Sequence, residues 1–438
     1  MRSGSLAPGG TFGNVKKMDV FGEAPMDGFT AVPKGPPGAR LHVSFVLWLL
    51  VTPLICAIAS GADTPALGRI EAPAFFVVDH GSGRVIAERN ATEAREPASL
   101  TKLMTAYVVF EELRKGTLKL TDEVRISHQA WRAPGSQTFL RERSLVPVSV
   151  LIQGMIVQSG NDAAIALAER IAGSERAFCD VMNATATRLG MSATHFANAT
   201  GLPRARHVSS ARDMAILAST ILREYPEYYG WYSQRSFEWN DIKQWNRNHL
   251  LGHLVGVDGM KTGFTARAGY CIVASAKRGD MRVMAVVLGA HTARERVRAT
   301  HALLDYAFDN FETHRLYTAG ESVLRAEVAR GKQANVALGV TEDFFVTVRR
   351  GESERLQSTA EVAEHLAAPL APSDAVGELR ISLDGATLAT RPLHPLTAVE
   401  PGHWWNRLMN GDDSAESAES AGKDPGSNPG DILKADPR

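Results

Sequence analysis

The sequence lacks the cysteine, histidine and glycine patterns on which several classes of protein depend. Three cysteines in 438 residues are too few for a disulfide scaffold, and they lack the paired spacing of a zinc site. The 13 histidines show no metal-ligand spacing, and no glycine-rich phosphate loop follows a strand. We therefore expect no metal and no other cofactor.

An excess of positive charge is also missing. The 48 basic and 48 acidic side chains give a formal net charge of zero, whereas a nucleic-acid-binding protein needs a basic surface to neutralise phosphates. The composition is 44% hydrophobic and the chain is long enough for two or three domains with a real core. An enzyme or a binding protein of moderate size remains.

The first part of the chain is typical of a leader. Residues 42–59 carry no formally charged side chain and end in small residues, as a cleaved secretory signal does. We predict a leader with a signal peptide over residues 1–59, with Met18 and Met26 as alternative starts. Export to the periplasm or cell envelope follows from this prediction.

The last part of the chain combines a short amphipathic segment with an acidic tail, over residues 402–438. Trp404 and Trp405 allow two interpretations, a weak peripheral membrane contact or packing on the preceding domain. The tail beyond residue 411 has seven acids and three bases, and it buries too little apolar surface to fold.

The middle of the chain predicts an α+β fold. A hairpin at its start and strands over 270–276 and 282–288 enclose a helical stretch, which indicates a sheet assembled from both ends of one domain. The helical periodicity covers residues 99–113, 148–156, 163–171, 211–222 and 292–311. We predict this domain over 68–316, followed by a small, mostly β domain over 317–401.

Ser99 and Lys102 form the first of three motifs that carry chemistry. Residues at i and i+3 share one face of a helix, so the amine would lie next to the hydroxyl. A serine is a poor nucleophile until a neighbour takes its proton, and a lysine can do so once burial lowers its pKa. A second Ser-x-x-Lys, from Ser420 to Lys423, lies in the acidic tail, where we expect no pocket.

The second motif is Ser159-Gly160-Asn161, directly before an alanine-rich helix. A serine in a loop can relay a proton to a leaving amine. The asparagine can bind a substrate amide and hold the lysine. An ordinary turn before a helix is the alternative interpretation.

The third motif is Lys261-Thr262-Gly263, at the start of a predicted strand. Glycine lets an extended peptide approach the backbone, while the ammonium and hydroxyl groups can face a carboxylate. The alternative is a strand end with a solvated lysine.

The three motifs in this order resemble those of the serine penicillin-recognising enzymes, the penicillin-binding proteins and serine β-lactamases. Longer stretches look like low-molecular-mass D-alanyl-D-alanine carboxypeptidases: residues 96–105, 198–203, 210–215, 257–266 and 268–270. The resemblance covers about residues 70–400. It implies an antiparallel sheet flanked by helices, as in β-lactamases and DD-peptidases, and then a β-rich domain.

The resemblance also implies a role for each motif residue. Ser99 would be the acylated nucleophile, Lys102 its general base and Ser159 a proton relay, with the backbone N–H groups of Ser99 and Phe264 as the oxyanion hole. The residues that would bind substrate are Asn161, Lys261, Thr262, Gly263, Phe264, Arg296 and Arg247. Phe264 departs from the family pattern, since many relatives have histidine after Lys-Thr-Gly.

The implied function is removal of the terminal D-alanine from peptidoglycan stem pentapeptides through an acyl-serine, with β-lactams as covalent inhibitors. The alternatives are a DD-endopeptidase, a serine β-lactamase and a non-catalytic module that binds β-lactams or peptidoglycan. The sequence has no convincing Glu-x-x-Leu-Asn element for fast deacylation, and a pure binder does not need Lys102 beside Ser99. Cys179 and Cys271 either pair or are buried free thiols.

Overall fold

The computed structural model describes residues 67–402 and, for the backbone alone, residues 15–19. Trp404, Trp405, Ser420 and most of the predicted leader lie outside the described residues, so the predictions made for them stay predictions. The strands are β1 Val15–Asp19, β2 Ala74–Asp79, β3 Val85–Arg89, β4 Glu123–Arg125, β5 Leu145–Pro147, β6 Ser236–Trp239, β7 Ile242–Trp245, β8 Val257–Thr265, β9 Gly269–Arg278, β10 Met281–Ala290, β11 Phe311–Tyr317, β12 Ser322–Ala329, β13 Asn335–Gly339, β14 Phe344–Arg349, β15 Leu356–Ala363, β16 Leu366–Ala367, β17 Gly377–Leu383 and β18 Ala386–Pro395. The helices are α1 Lys102–Lys115, α2 His128–Trp131, α3 Val148–Gln153, α4 Asn161–Ala172, α5 Glu175–Arg188, α6 Ala211–Glu224, α7 Pro226–Ser233 and α8 Ala293–Asn310.

The first large sheet has the strand order β3-β2-β10-β9-β8, and each of its pairs is antiparallel. Its strands come from the two ends of residues 74–290, and the helices α1 to α7 lie between them in the chain. The prediction of a sheet assembled from both ends of an α+β domain is confirmed. Strand β8 lies at one edge, so its outer side is open to a further extended chain.

Both faces of this sheet are covered. Phe76 and Val286 pack with helices α1, α4 and α6 in one apolar cluster. Phe75 and Val287, their neighbours along the strands, pack with Leu303 and other residues of helix α8 in a second cluster. Because successive side chains of a strand point to opposite faces, the sheet lies between two apolar layers.

The second large sheet has the order β1-β15-β17-β18-β13-β12-β16. Burial alternates along strands such as β15 and β17, as in a sheet with one covered face. Its inner side chains, Leu379 and Ile381 among them, form a third apolar cluster. The predicted β character of this part of the chain is confirmed.

The turn between β2 and β3 connects the two parts of the described structure, the α+β part before Phe311 and the β-rich part from Phe311 onward. The carboxylate of Asp79 accepts hydrogen bonds from Ser82 and Thr313, and the Ser82 hydroxyl lies 2.6 Å from that of Thr347. A Cβ atom at Gly81 would stand 2.9 Å from the ring of Phe345. Strand β11 pairs with β14, so residues 311–317 bond to the C-terminal part of the chain. The domain boundaries stay predictions.

Within residues 67–402, no helix has the length and apolar character that crossing a membrane requires.

Candidate active site

The serine of the first motif lies in a short 3-10 turn, Ala98–Thr101, which leads directly into helix α1. Both turn and helix keep the i, i+3 spacing on one side, and Lys102 Nζ lies 3.1 Å from Ser99 Oγ. Ala98, just before the serine, has a φ of 48°, a left-handed conformation that is uncommon outside glycine. The turn therefore presents the hydroxyl to the amine.

Lys102 is 1% exposed, and its amine contacts three oxygen atoms. Besides Ser99 Oγ, it donates to Asn161 Oδ1 at 2.7 Å and to the carbonyl oxygen of Thr200 at 2.6 Å. The last two atoms can only accept hydrogen bonds. A neutral amine has two N–H groups and one lone pair, so when both N–H groups serve these acceptors, the lone pair is left for the Ser99 hydroxyl.

Burial favours this neutral form. It lowers the pKa of Lys102 to about 7, although the charges of Asp162 and Glu175 act in the opposite direction. A lysine in water is almost fully protonated at neutral pH, whereas this one is close to half deprotonated. The lysine can therefore act as a base at physiological pH.

The second motif lies where a π-helical turn, Gly154–Gln158, ends. Ser159 has a φ of 68°, and Asn161 begins helix α4. The Ser159 hydroxyl is buried and has no hydrogen-bond partner among the described residues. The amide of Asn161 is fixed, since Oδ1 accepts from Lys102 and Nδ2 donates to the carbonyl oxygen of Pro134. The motif brings the Asn161 side chain to the lysine and leaves the Ser159 hydroxyl buried two residues before Asn161.

Asp162 supports this arrangement, and sequence reasoning missed it. Its buried carboxylate accepts from the backbone N–H groups of Thr138 and Leu140, and so ties the loop over residues 134–140 to helix α4. The side chain of Thr138 leaves no room for a Cβ atom at Gly160. An aspartate in the first turn of a helix is common, so its position gave no functional signal.

Thr200 was missed because it acts through its backbone carbonyl, which any residue type could supply. The next residue, Gly201, has a φ of 87°, and a Cβ atom there would lie 1.8 Å from the carbonyl oxygen of Ala98. Glycine is therefore required where this loop passes the Ala98–Thr101 turn. The family resemblance over residues 198–203 includes this segment but assigns no role to it.

The third motif lies in the edge strand β8. Lys261 is 2% exposed and its amine donates to the carbonyl oxygen of Thr262 at 3.0 Å, so the alternative of a solvated lysine is wrong. Burial lowers the pKa of Lys261 well below its usual value, and the charges of Lys102, Arg247 and Arg296 lower it further. Gly263 packs against the Ala98–Thr101 turn, with the Ser99 nitrogen 3.0 Å from the position of a Cβ atom.

Phe264 and Arg247 lie at the opening of the site. Both line a cavity of about 350 Å³ that also contains Ser99, Asn161 and Gly201. The ring of Phe264 is 52% exposed and packs on Tyr270, with the ring centroids 4.3 Å apart. A larger cavity of about 610 Å³, between the β2–β3 hairpin and helix α6, contains none of the motif residues.

Arg296 lies beside the cavity and does not line it. It projects from helix α8, is 7% exposed, and has its guanidinium carbon 5.8 Å from the centroid of the Tyr270 ring. Its Nε atom is buried without a partner among the described residues. Together with Lys261 it places two buried basic side chains on the side of the site formed by strand β8.

Cys179 and Cys271 are both free and buried, so the alternative in which they form a disulfide is wrong. Burial raises the pKa of each thiol to about 11, which keeps them protonated. Across residues 67–402 the structure holds no cluster of three His, Cys, Asp or Glu side chains that could bind a metal ion.

Two family models match the chain. The D-alanyl-D-alanine carboxypeptidase model of the S11 peptidases matches residues 59–292, and the model of the C-terminal domain of penicillin-binding protein 5 matches residues 311–401. Together they cover both parts of the described structure.

Relatives and solved structures agree with the family models. D-alanyl-D-alanine carboxypeptidase DacA of Escherichia coli (strain K12) is 38% identical over 354 residues, which are 79% of this chain and 88% of the relative. The crystal structure of penicillin binding protein 5 from Haemophilus influenzae has a TM-score of 0.71 and 39% identity, and covers 76% of this chain and 98% of that one. Penicillin-binding protein D2 of Listeria monocytogenes, in its ampicillin-bound form, has a TM-score of 0.52 and 34% identity, covering 56% and 100%. The chain therefore belongs to the D-alanyl-D-alanine carboxypeptidase family, and it is a serine peptidase of the penicillin-binding protein type.

Proposed function

We propose that the enzyme removes the terminal D-alanine of peptidoglycan stem pentapeptides, with Ser99 as nucleophile and Lys102 as general base. The observation that carries this proposal is the hydrogen bonding of Lys102. Its amine is 3.1 Å from the Ser99 hydroxyl, and two carbonyl acceptors occupy its other directions. A lysine with a purely structural role would not require a serine hydroxyl at the position of its lone pair.

Acylation begins when Ser99 Oγ attacks the carbonyl carbon between the two D-alanines while its proton passes to Lys102 Nζ. The carbonyl oxygen becomes an anion, stabilised by the backbone N–H groups of Ser99 and Phe264. The carbon–nitrogen bond then breaks, and D-alanine leaves with the proton. Water hydrolyses the remaining ester, which returns Ser99 to its starting form.

Ser159 delivers the proton to the leaving amine. Its hydroxyl is buried, lacks a hydrogen-bond partner among the described residues, and lies in the same motif as Asn161, which holds Lys102. A buried hydroxyl without a partner costs stability, and a bound substrate would supply the partner. Asn161 fixes the lysine and retains one amide hydrogen for the peptide.

Lys261, Thr262 and Arg296 bind the carboxylate at the end of the substrate. Both basic side chains, Lys261 and Arg296, are almost completely buried, and an anion that binds there favours their charged forms, which burial alone disfavours. The substrate pairs with the edge strand β8, beside Gly263. Arg247, at the mouth of the cavity, adds positive charge for the approaching peptide.

β-Lactams would acylate the same serine, as the ampicillin-bound relative suggests for this site. The enzyme would act where stem peptides occur, in the bacterial cell envelope.

Labelled penicillin tests this proposal directly. The wild-type protein should acquire a stable covalent label that peptide mapping assigns to Ser99, and Ser99→Ala should acquire none. Ser358→Ala is a matched control, because it removes a buried serine hydroxyl in the β-rich C-terminal part, where it lies 2.9 Å from the Tyr317 hydroxyl. Release of D-alanine from a synthetic pentapeptide then distinguishes the carboxypeptidase from an endopeptidase. Absence of the label would contradict the proposal, and its rapid loss as hydrolysed penicillin would indicate a β-lactamase.

A further inference from the structure

The peptide group between Ala98 and Ser99 is held from one side. The carbonyl oxygen of Ala98 accepts from the Thr101 hydroxyl at 2.8 Å, and Gly201 packs directly on it. In a trans peptide the C=O and N–H groups point in opposite directions, so fixing the carbonyl also fixes the Ser99 N–H. The left-handed φ of 48° at Ala98 is unfavourable for a residue with a Cβ atom, so the orientation needs such support.

A chain of hydrogen bonds continues behind Thr101. The Thr101 hydroxyl lies 2.8 Å from Nε2 of His207, and Nδ1 of His207 lies 2.9 Å from the backbone nitrogen of Ala197. Thr101 and His207 are buried, with His207 1% exposed, and Ala197 is half-buried. The loop that contains Thr200 and Gly201 lies between Ala197 and His207 in the chain, so one imidazole connects both ends of this loop to the nucleophile turn.

The direction of each bond follows by elimination. The Ala197 N–H can only donate, so Nδ1 of His207 accepts and the ring proton is on Nε2. That N–H donates to Thr101, whose own proton goes to the carbonyl oxygen of Ala98. Each group in the chain is satisfied only when the imidazole is neutral. Burial favours this form and lowers the pKa of His207 to about 4, assisted by the charges of His195 and Lys102.

We infer that His207 is a positioning residue for acylation: through Thr101 it orients the Ala98–Ser99 peptide so that the Ser99 N–H faces the oxyanion. This inference rests on the proposed role of that N–H group. Successive hydrogen bonds polarise one another, so donation to the carbonyl of this peptide also makes its N–H a stronger donor. His207 acts on the transition state without contact with the substrate.

Two pairs of variants test the inference. The quantity measured is the rate constant of acylation at a saturating concentration of labelled penicillin. Thr101→Val and His207→Phe keep the shape and remove the donors, whereas Thr101→Ser and His207→Gln keep a donor in place. Loss of an oxyanion-hole donor costs about 100- to 1,000-fold, so misorientation of one should cost roughly 10- to 100-fold. The affinity of the initial complex should change little, and the two conservative variants should recover most of the rate.

Thr220→Val is the matched control, because its buried hydroxyl donates to the carbonyl oxygen of Ile216 in helix α6, away from the site. The double variant Thr101→Val/His207→Phe should lose no more than the slower single variant, since both residues act through one chain. Additive losses, or wild-type acylation in folded Thr101→Val, would overturn the role of His207. Failure of the wild-type protein to label Ser99 would instead overturn the proposed function.

Discussion

The two parts of the molecule differ in where they place charge. In the described residues before Phe311, six Asp, Lys and Arg side chains are buried: Asp79, Lys102, Asp162, Asp213, Lys261 and Arg296. In the described residues from Phe311 onward, the buried polar side chains are Thr313, Thr347 and Ser358, none of them charged. Burial of a charge costs free energy unless hydrogen bonds offset it, so the difference shows which part of the chain carries chemistry.

The two sheets repeat this difference in their strands. Six consecutive residues are buried in β9 and again in β10, as expected between two apolar layers. Burial alternates in β15, where the outward side chains meet solvent and form ion pairs. A buried ionisable group of the first part depends on protein hydrogen bonds or a bound ligand, whereas the exposed charges of the second part are hydrated. Substitutions should therefore act through activity in the first part and through stability in the second.

Replacement of Lys102 by methionine tests this comparison most strongly. Methionine fills similar space without a base, and loss of a general base costs about 100- to 10,000-fold in rate. Acylation by labelled penicillin should fall by this factor while the protein stays folded. Lys332→Met, at a lysine of the C-terminal part that pairs with Glu400, is the control and should acylate at the wild-type rate. Wild-type acylation in Lys102→Met would contradict both the base and the comparison.

Leu379→Ala makes the opposite change, in the core of the second sheet. Leu379 is fully buried there, and truncation of such a leucine costs about 2–5 kcal/mol in the free energy of unfolding. Denaturant unfolding should show this loss, while the acylation rate in the absence of denaturant should be unchanged. The distinction between the two parts would be wrong if the variant, still folded, acylated more than about threefold slower.

Much of the first part could be predicted from the sequence because its chemistry lies in side chains. Ser99, Lys102 and Asn161 come together as their motifs indicate, and Ser159 and Lys261 are buried. The roles of all five stay proposals. The family, the α+β fold and the β-rich C-terminal part are confirmed. Helix α5 was missed although Phe178 and Met182 give a helical spacing and Ser174 caps it, so that signal was present and unused.

Other features had no signal in the sequence. Thr200 contributes a backbone carbonyl, and a carbonyl carries no residue preference. His207 reaches Thr101 across 106 positions of the chain, a contact that no local pattern indicates. The burial of Arg296 depends on how helix α8 packs on the sheet, and the separation of the two thiols depends on the whole fold. Contacts of this kind follow from tertiary packing alone.

The pH dependence of acylation should follow the neutral fraction of Lys102. With a pKa of about 7, roughly a tenth of the lysine is neutral at pH 6 and nine-tenths at pH 8, so the rate should rise about tenfold between them. Glu175→Gln removes a charge that raises this pKa, and should move the midpoint of the profile to lower pH. A midpoint that does not move, in a variant that keeps its hydrogen bond from Ala199, would contradict the assignment to Lys102.

Arg380→Ala should have the smallest effect, because it concerns charges that water already solvates. Arg380 pairs with Glu361 at 3.5 Å and with Glu378 at 3.1 Å, and its side chain is 36% exposed. Exposed pairs contribute at most about 1 kcal/mol, and salt screens them, so the loss in unfolding free energy should shrink further in 1 M salt. Arg325→Ala is the control, at an exposed arginine of β12 for which the described residues supply no ion pair. A loss of several kcal/mol in unfolding free energy at Arg380 would mean that the second sheet depends on its charges as the active site does. The proposed contrast between the two parts would then be wrong.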